Sequence, residues 1–158
     1  MRKELSIVYD YYNTVQELSE SDQKYIAQAH EVAKAAHAPY SKFHVGAALL
    51  MTDGEVILGS NQENIAFPSG LCAERVALFY AGANFPGKSV QKLFVVAKGD
   101  LIDKKAILSP CGSCRQVMLE SRKRQETDFQ IYLIGQDDSV TVFASIYVLT
   151  LNLSGRLS

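Results

Sequence analysis

Three cysteines stand at positions 72, 111 and 114, two of them inside the stretch "SPCGSCRQVM" that spans residues 109–118. A pair spaced C-x-x-C can form a disulfide, a redox couple or half of a metal site. Three is an odd number and makes no closed disulfide framework. A redox reading leaves the other motif, Cys72-Ala73-Glu74, unused. A single cysteine on its own is ordinarily a small buried hydrophobe. Taken together, however, Cys72, Cys111 and Cys114 each fall at the predicted start of a helix, where free N–H groups and the helix dipole lower a thiol's pKa. If the two helix starts converge, three thiolates face one point. That is a three-cysteine zinc site with a fourth position open to water, the arrangement of catalytic rather than closed structural zinc; His30, His37 and His44 lie far from the cysteine motifs in sequence, and a fold that brought one of them in would close the site.

Glu74 lies two residues after Cys72, close enough to reach the open position without itself binding the metal. Zinc lowers the pKa of a water molecule from about 15.7 towards about 7, and a neighbouring carboxylate can take that proton and pass it on. Three thiolates and Zn²⁺ sum to a negative charge that weakens the metal as a Lewis acid. Arg75, next in the chain, can donate N–H groups to the sulfurs and offset that charge; the alternative is an ordinary surface arginine.

The elements that must carry these residues follow from periodicity. Ser19 or Ser21 caps a predicted helix running to about His37, with Tyr25, Ile26, Ala29, Val32, Ala33 and Ala36 at helical spacing and Pro39 beyond it. "KFHVGAALLMTDGEVILGSN" predicts two strands around an Asp53-Gly54 turn. "LCAERVALFYAGAN" predicts a buried helix stopping near Gly82, and "QKLFVVAKG" a buried strand. "PCGSCRQVMLESRKR" predicts a second helix with Pro110 at or just before its first turn, its basic "SRKRQ" end being solvated. "FQIYLIGQ" and "SVTVFA" predict two more strands. At the ends, "ELSIVYDYYNTV" reads as an extra edge strand in preference to part of a helix, and "SIYVLTLNLSGRLS" as a short closing helix or a strand-like tail. This alternation makes a sheet with helices packed on its faces.

Composition sets the remaining bounds. The 158 residues suit a single domain, 1–158, with residues 1–20 as an N-terminal extension. A formal net charge of −1 gives no reason to expect nucleic acid as a partner. There is no run of about 18 apolar residues to cross a membrane and no uninterrupted apolar core of a secretory signal in "MRKELSIVYD". The expected location is cytoplasmic, where thiols stay reduced.

With these motifs assembled, the chain resembles the small, homotetrameric cytidine deaminases. Cysteine-x-glutamate followed by Pro-Cys-x-x-Cys is the zinc-deaminase signature, with cysteine in a slot that holds histidine in other members. The resemblance covers roughly residues 23–143 and includes "YSKFHVGAALL", "NQENIAFPSGLCAERVAL" and "SPCGSCRQVM", in the family's order. It implies an α/β fold, a three-layer α/β/α sandwich around a mixed five-stranded sheet. It implies one Zn²⁺ per chain on Cys72, Cys111 and Cys114, with Glu74 as proton shuttle. It further implies that Asn61 and Glu63 bind the ribose 3′-hydroxyl, that Phe43 packs on the pyrimidine, and that the Ala73 backbone helps hold the base. Phe67 matches an aromatic position that contributes to a neighbouring subunit's site.

The implied activity is hydrolytic deamination of cytidine and 2′-deoxycytidine to the uridine products and ammonia, in pyrimidine salvage. Rival readings are a deaminase of blasticidin-type nucleoside antibiotics, a nucleic-acid-editing deaminase, and a non-catalytic zinc-binding interaction module. "NQEN" favours a plain nucleoside over the antibiotic, and the near-neutral charge disfavours nucleic acid. The chain departs from the family in two places: His44 stands where proline is common, and the tail "TLNLSGRLS" lacks the Leu-Leu-Pro…Phe-Gly ending of many members.

Overall fold

The computed structural model describes residue 1 and residues 6–147. Six strands run in the order β1-β6-β5-β4-β2-β3: β1 (Asp10–Tyr12), β2 (His44–Met51), β3 (Val56–Ser60), β4 (Val90–Lys98), β5 (Gln130–Ile134) and β6 (Val140–Phe143). Every pairing is antiparallel except β4 with β5, so the sheet is mixed. Helix α1 (Glu20–Ala33) covers one face, while α2 (Ala73–Asn84) and α3 (Gly112–Gln125) cover the other. The layers are α/β/α, as expected. The strand count is six rather than five because the N-terminal segment contributes β1, paired to β6 from Asp10↔Val142 to Tyr12↔Val140.

Of the two candidate caps, Ser19 starts helix α1, its hydroxyl accepting the Asp22 N–H at 3.2 Å, and Ser21 lies inside the helix. The helix ends at Ala33, short of His37. Ala35 and Ala36 donate to Val32 and Ala33, the tighter i→i+3 pattern of a closing turn, and His37 leaves to bridge Gln62. Helix α2 passes through Gly82 and stops at Asn84, two residues before Pro86, which disfavours further helix. The Asp53-Gly54 turn closes the β2–β3 hairpin with Gly54 at φ +90°. The basic end of α3 carries Arg122, Lys123 and Arg124 in its last turn. The tail beyond Tyr147, to which the closing helix or strand-like tail was assigned, lies outside the described residues.

Two apolar cores hold the layers together. Ile26, Ala29 and Ala33 of α1 pack on Phe94, Tyr132 and Val142, while Ala77 and Leu78 of α2 and Met118 of α3 pack on Leu49, Leu93 and Ile131. Small residues set the spacing of helix and sheet. A Cβ on Gly46 would lie 2.0 Å from the Ala29 carbonyl oxygen, and one on Gly59 would lie 2.5 Å from that of Ala73. The β3 backbone is therefore seated directly on the first turn of α2. That contact fixes the height of the helix start, which carries Cys72 and Glu74.

Candidate active site

The site forms at one edge of the sheet, where β3 and β4 end and β2 begins. Crevices at the carboxyl ends of strands are the usual ligand sites of such sheets. Cys72 and Cys111 are the N-cap residues of α2 and α3, and Cys114 lies in the first turn of α3. Their Sγ atoms all lie within 4.8 Å of one another, with Cys72–Cys111 at 3.7 Å and Cys111–Cys114 at 3.5 Å. Tetrahedral zinc with bonds of about 2.3 Å separates its sulfurs by about 3.8 Å. The spacing and the sulfur donor set therefore fit zinc. The three are free cysteines.

The electrostatics around the sulfurs are unequal. A hydrogen bond from Cys114, opposed by burial and reinforced by Arg75, pulls Cys72 down to about 5. The same bond, together with burial, pushes the Cys114 thiol up. Arg75 directs Nη2 to Cys72 Sγ at 3.7 Å and to the Gly70 carbonyl at 3.5 Å, which puts a cation against that sulfur. Its Nε–H is buried without a protein partner. Glu74 is 4% exposed, and burial raises its carboxyl to about 7. Buried carboxylates favour the neutral form because the charged one loses its hydration.

A cavity of about 1100 Å³ opens beside the sulfurs, and Phe43, Glu63, Phe67, Cys72, Glu74 and Cys111 all line it. Segment 61–63 is zipped between two neighbours: His37 N–H donates to the Asn61 carbonyl, Glu63 N–H donates to the His37 carbonyl, and Gln62 pairs with Leu71 in both directions. Asn61 also ties down the entry to β2. Its Nδ2 donates to the Phe43 carbonyl and its Oδ1 accepts the Val45 N–H, both at 2.8 Å. The Glu63 carboxylate accepts the N–H groups of Tyr40 and Ser41 at 2.9 and 3.3 Å. The Ser41 hydroxyl and those N–H groups hold it below its ordinary pKa. Ala73 is fully buried behind Cys72, and Phe67 projects from the rim 89% exposed.

Sequence reasoning missed one whole wall. Leu101, Ile102, Ala106, Ile107 and Leu108 line the cavity, and their only signal was an apolar stretch between β4 and Cys111. It also missed Arg115, whose Nε donates to the Pro110 carbonyl at 2.9 Å and whose Nη2 donates to Ser109 at 2.6 Å. That guanidinium fixes the approach to Cys111.

Residues 19–127 match the family profile described as the cytidine and deoxycytidylate deaminase zinc-binding region. The chain belongs to this family. It is 45% identical to the cytidine deaminase of Sporosarcina psychrophila over 120 residues, 76% of this chain and 84% of that one. With the cytidine deaminase of Halalkalibacterium halodurans it shares 47% identity over 98 residues, 62% and 70% of the two chains. The crystal structure of cytidine deaminase from Burkholderia pseudomallei superimposes with a TM-score of 0.68 at 34% identity, covering 84% of this chain and 96% of the other. The family's zinc-binding region thus includes all three cysteines and Glu74.

Proposed function

We propose that the protein deaminates cytidine and 2′-deoxycytidine hydrolytically, releasing ammonia and the corresponding uridine. The convergence of Cys72, Cys111 and Cys114 beside a buried Glu74 carries the reading. Those three cysteines would hold one Zn²⁺ per chain. Bound there, zinc supplies Lewis acidity and lowers the pKa of water towards neutrality.

Glu74 moves the protons. Burial raises its carboxyl above the ordinary carboxylate range, towards the neutral region in which a general acid–base works best. It takes a proton from the attacking water and delivers it to N3 of the ring, which makes C4 electrophilic. It then carries the second proton to the amino group leaving C4. Arg75 limits the charge on the sulfurs. Phe43 supplies an apolar face for the pyrimidine, and the first-turn N–H of Ala73, free of intrahelical bonds, helps hold the base. Asn61 and Glu63 meet the ribose 3′-hydroxyl with the hydrogen-bonding capacity left over from their backbone contacts.

The charge of the cavity supports a nucleoside rather than a nucleotide. Among the described lining residues Arg75 is the sole lysine or arginine, and it is turned to Cys72. A 5′-phosphate would find no further lysine or arginine among the described lining residues, whereas phosphate recognition normally uses one. We further propose that the chain is a single domain with an N-terminal extension, acting as a cytoplasmic homotetramer in pyrimidine salvage. The exposed Phe67 and Ile65, at 89% and 87%, support a subunit contact at the cavity mouth. No helix among the described residues is long and apolar enough to cross a membrane.

The test is the fall in ultraviolet absorbance when purified protein meets cytidine, deoxycytidine or deoxycytidine monophosphate, repeated after chelation and zinc restoration. Turnover of both nucleosides, little of the nucleotide, and loss and recovery with zinc are expected. Faster turnover of the nucleotide would overturn the substrate assignment.

A further inference from the structure

The cavity wall missed by the sequence is held by one side chain from the turn after β5, the strand next to β4. Strands β4 and β5 pair in parallel as far as Val96↔Ile134. Beyond that point they separate, β4 running into residues 99–108 and β5 into the turn towards β6. Gln136, in that turn, bridges the gap. Its Oε1 accepts the Gly99 N–H at 3.0 Å, and its Nε2 donates to the Gly99 carbonyl at 2.9 Å and the Ile102 carbonyl at 3.5 Å. A primary amide thus binds both polar groups of one residue, continuing the ladder of the sheet where its backbone has ended.

Gly99 is where that grip meets the substrate pocket. It has φ +145°, a conformation that favours glycine. A Cβ there would lie 2.8 Å from the Lys42 carbonyl oxygen and 3.0 Å from Phe43 Cδ2. The Gly99 backbone is therefore packed against the ring assigned to the pyrimidine, and Leu101, Ile102, Ile107 and Leu108 follow it along the cavity. Residues 100–107 have few bonds of their own. Lys105 N–H to the Asp103 side chain and Ala106 N–H to the Asp103 carbonyl are local turn contacts that tie the segment to nothing outside itself.

We propose that Gln136 is a positioning residue for the base pocket, holding Gly99 and the wall that follows it against Phe43. The inference rests on the deaminase reading of the cavity. Gln136 lines no part of that cavity and acts only through Gly99 and Ile102. A displaced wall weakens binding of the base, while Glu74 and the cysteines keep their places. The loss therefore falls on KM more than on kcat.

The experiment compares wild type, Gln136→Leu and Gln136→Glu. The first substitution removes the bonds. The second keeps size and shape and the acceptor for the Gly99 N–H, but its carboxylate confronts two carbonyl oxygens in place of the amide donor. Hydrogen–deuterium exchange across residues 99–108 reads the clamp without any turnover, and cytidine kinetics read its consequence. Both variants are expected to exchange faster in that segment alone, with KM raised about tenfold, the effect of one or two lost hydrogen bonds, and kcat within about threefold. Unchanged exchange overturns the clamp. Faster exchange with unchanged KM overturns its link to the pocket, and a normal Gln136→Glu shows that bulk rather than hydrogen bonding matters. If wild type turns over no cytosine nucleoside, the deaminase reading fails, and the exchange comparison still decides whether Gln136 holds the wall.

Discussion

In the proposed reaction Glu74 is the group that moves protons, and its burial has two consequences that separate in a single variant. Glu74→Gln preserves shape and leaves Cys72, Cys111 and Cys114 unchanged. Zinc content measured by elemental analysis is expected to stay at one per chain, while cytidine turnover falls about a thousandfold or more, towards the upper range of a lost general acid–base. Full activity would remove Glu74 from the proton path. The second consequence concerns stability of the metal-free protein. A carboxyl whose folded pKa is raised from 4.5 to about 7 destabilises the fold progressively as pH rises through that interval, because the unfolded chain ionises first. Below it no penalty exists; above it the penalty is constant, about 3 kcal/mol for that shift. Chelated Glu74→Gln is therefore expected to melt higher than chelated wild type at pH 8 and equally at pH 4. Thermal unfolding at the two pH values checks it, and identical melting at pH 8 would contradict the buried, strained carboxyl.

At the scale of elements, the start of α2 is placed by contact rather than by covalent linkage. Gly59→Ala would drive a methyl group into the Ala73 carbonyl at 2.5 Å and the Ala77 N–H at 2.9 Å, so helix and strand must part. Overpacking of this kind costs about 1–3 kcal/mol. Because the displaced turn carries Cys72, zinc affinity measured by chelator competition is expected to fall at least about tenfold. The opposite face is pinned differently. Lys92 donates to the 6%-exposed Asp22 at 2.7 Å, and Tyr132 OH donates to the other Asp22 oxygen at 3.4 Å. Breaking such a pair leaves a buried carboxylate uncompensated, and Lys92→Met is expected to destabilise by about 3 kcal/mol with little effect on KM. Burial opposes the charge on Lys92, but Asp22 and Tyr132 raise its pKa above the ordinary 10.5. The lysine's share of the pair is present below that pH and lost as pH climbs through the raised value, so denaturant midpoints of wild type and Lys92→Met should converge in strong alkali. Both contacts show where legibility stops. Strand and helix identities, a serine cap for α1, a sheet with helices on its faces and the cysteine motifs were readable because they depend on local period, cap chemistry and motif spacing, while the three-layer arrangement came from the family resemblance. Asp22 with Lys92, Gly59 under Ala73, and Gln136 on Gly99 join residues distant in sequence through tertiary packing, and no periodicity encodes them. The sixth strand was readable as a weak apolar stretch; its partner, β6, was not.

For the whole molecule, the rim of the cavity is apolar and exposed, as the proposed subunit contact requires. Tyr40, Ile65, Phe67, Leu101 and Ile107 are between 54% and 89% exposed around one opening, and an apolar patch of that kind marks a contact surface. Sedimentation equilibrium is expected to give four chains of 17.4 kDa per particle. Removing the most exposed of these rings, Phe67→Ala, is expected to lower kcat/KM about tenfold, the loss typical of an interfacial aromatic anchor. Whether Phe67 serves its own cavity or a neighbour's is decided by mixing. Glu74→Gln subunits retain Phe67 but cannot move protons; Phe67→Ala subunits retain Glu74 but lack the ring. If the ring acts across the interface, co-refolded mixtures regain activity above the weighted mean of the two pure variants, because a Phe67 from one subunit completes a Glu74 site in the next. If the ring serves only the cavity of its own chain, no mixture exceeds that mean, and the exposed rim has then to be assigned to some contact other than a shared active site.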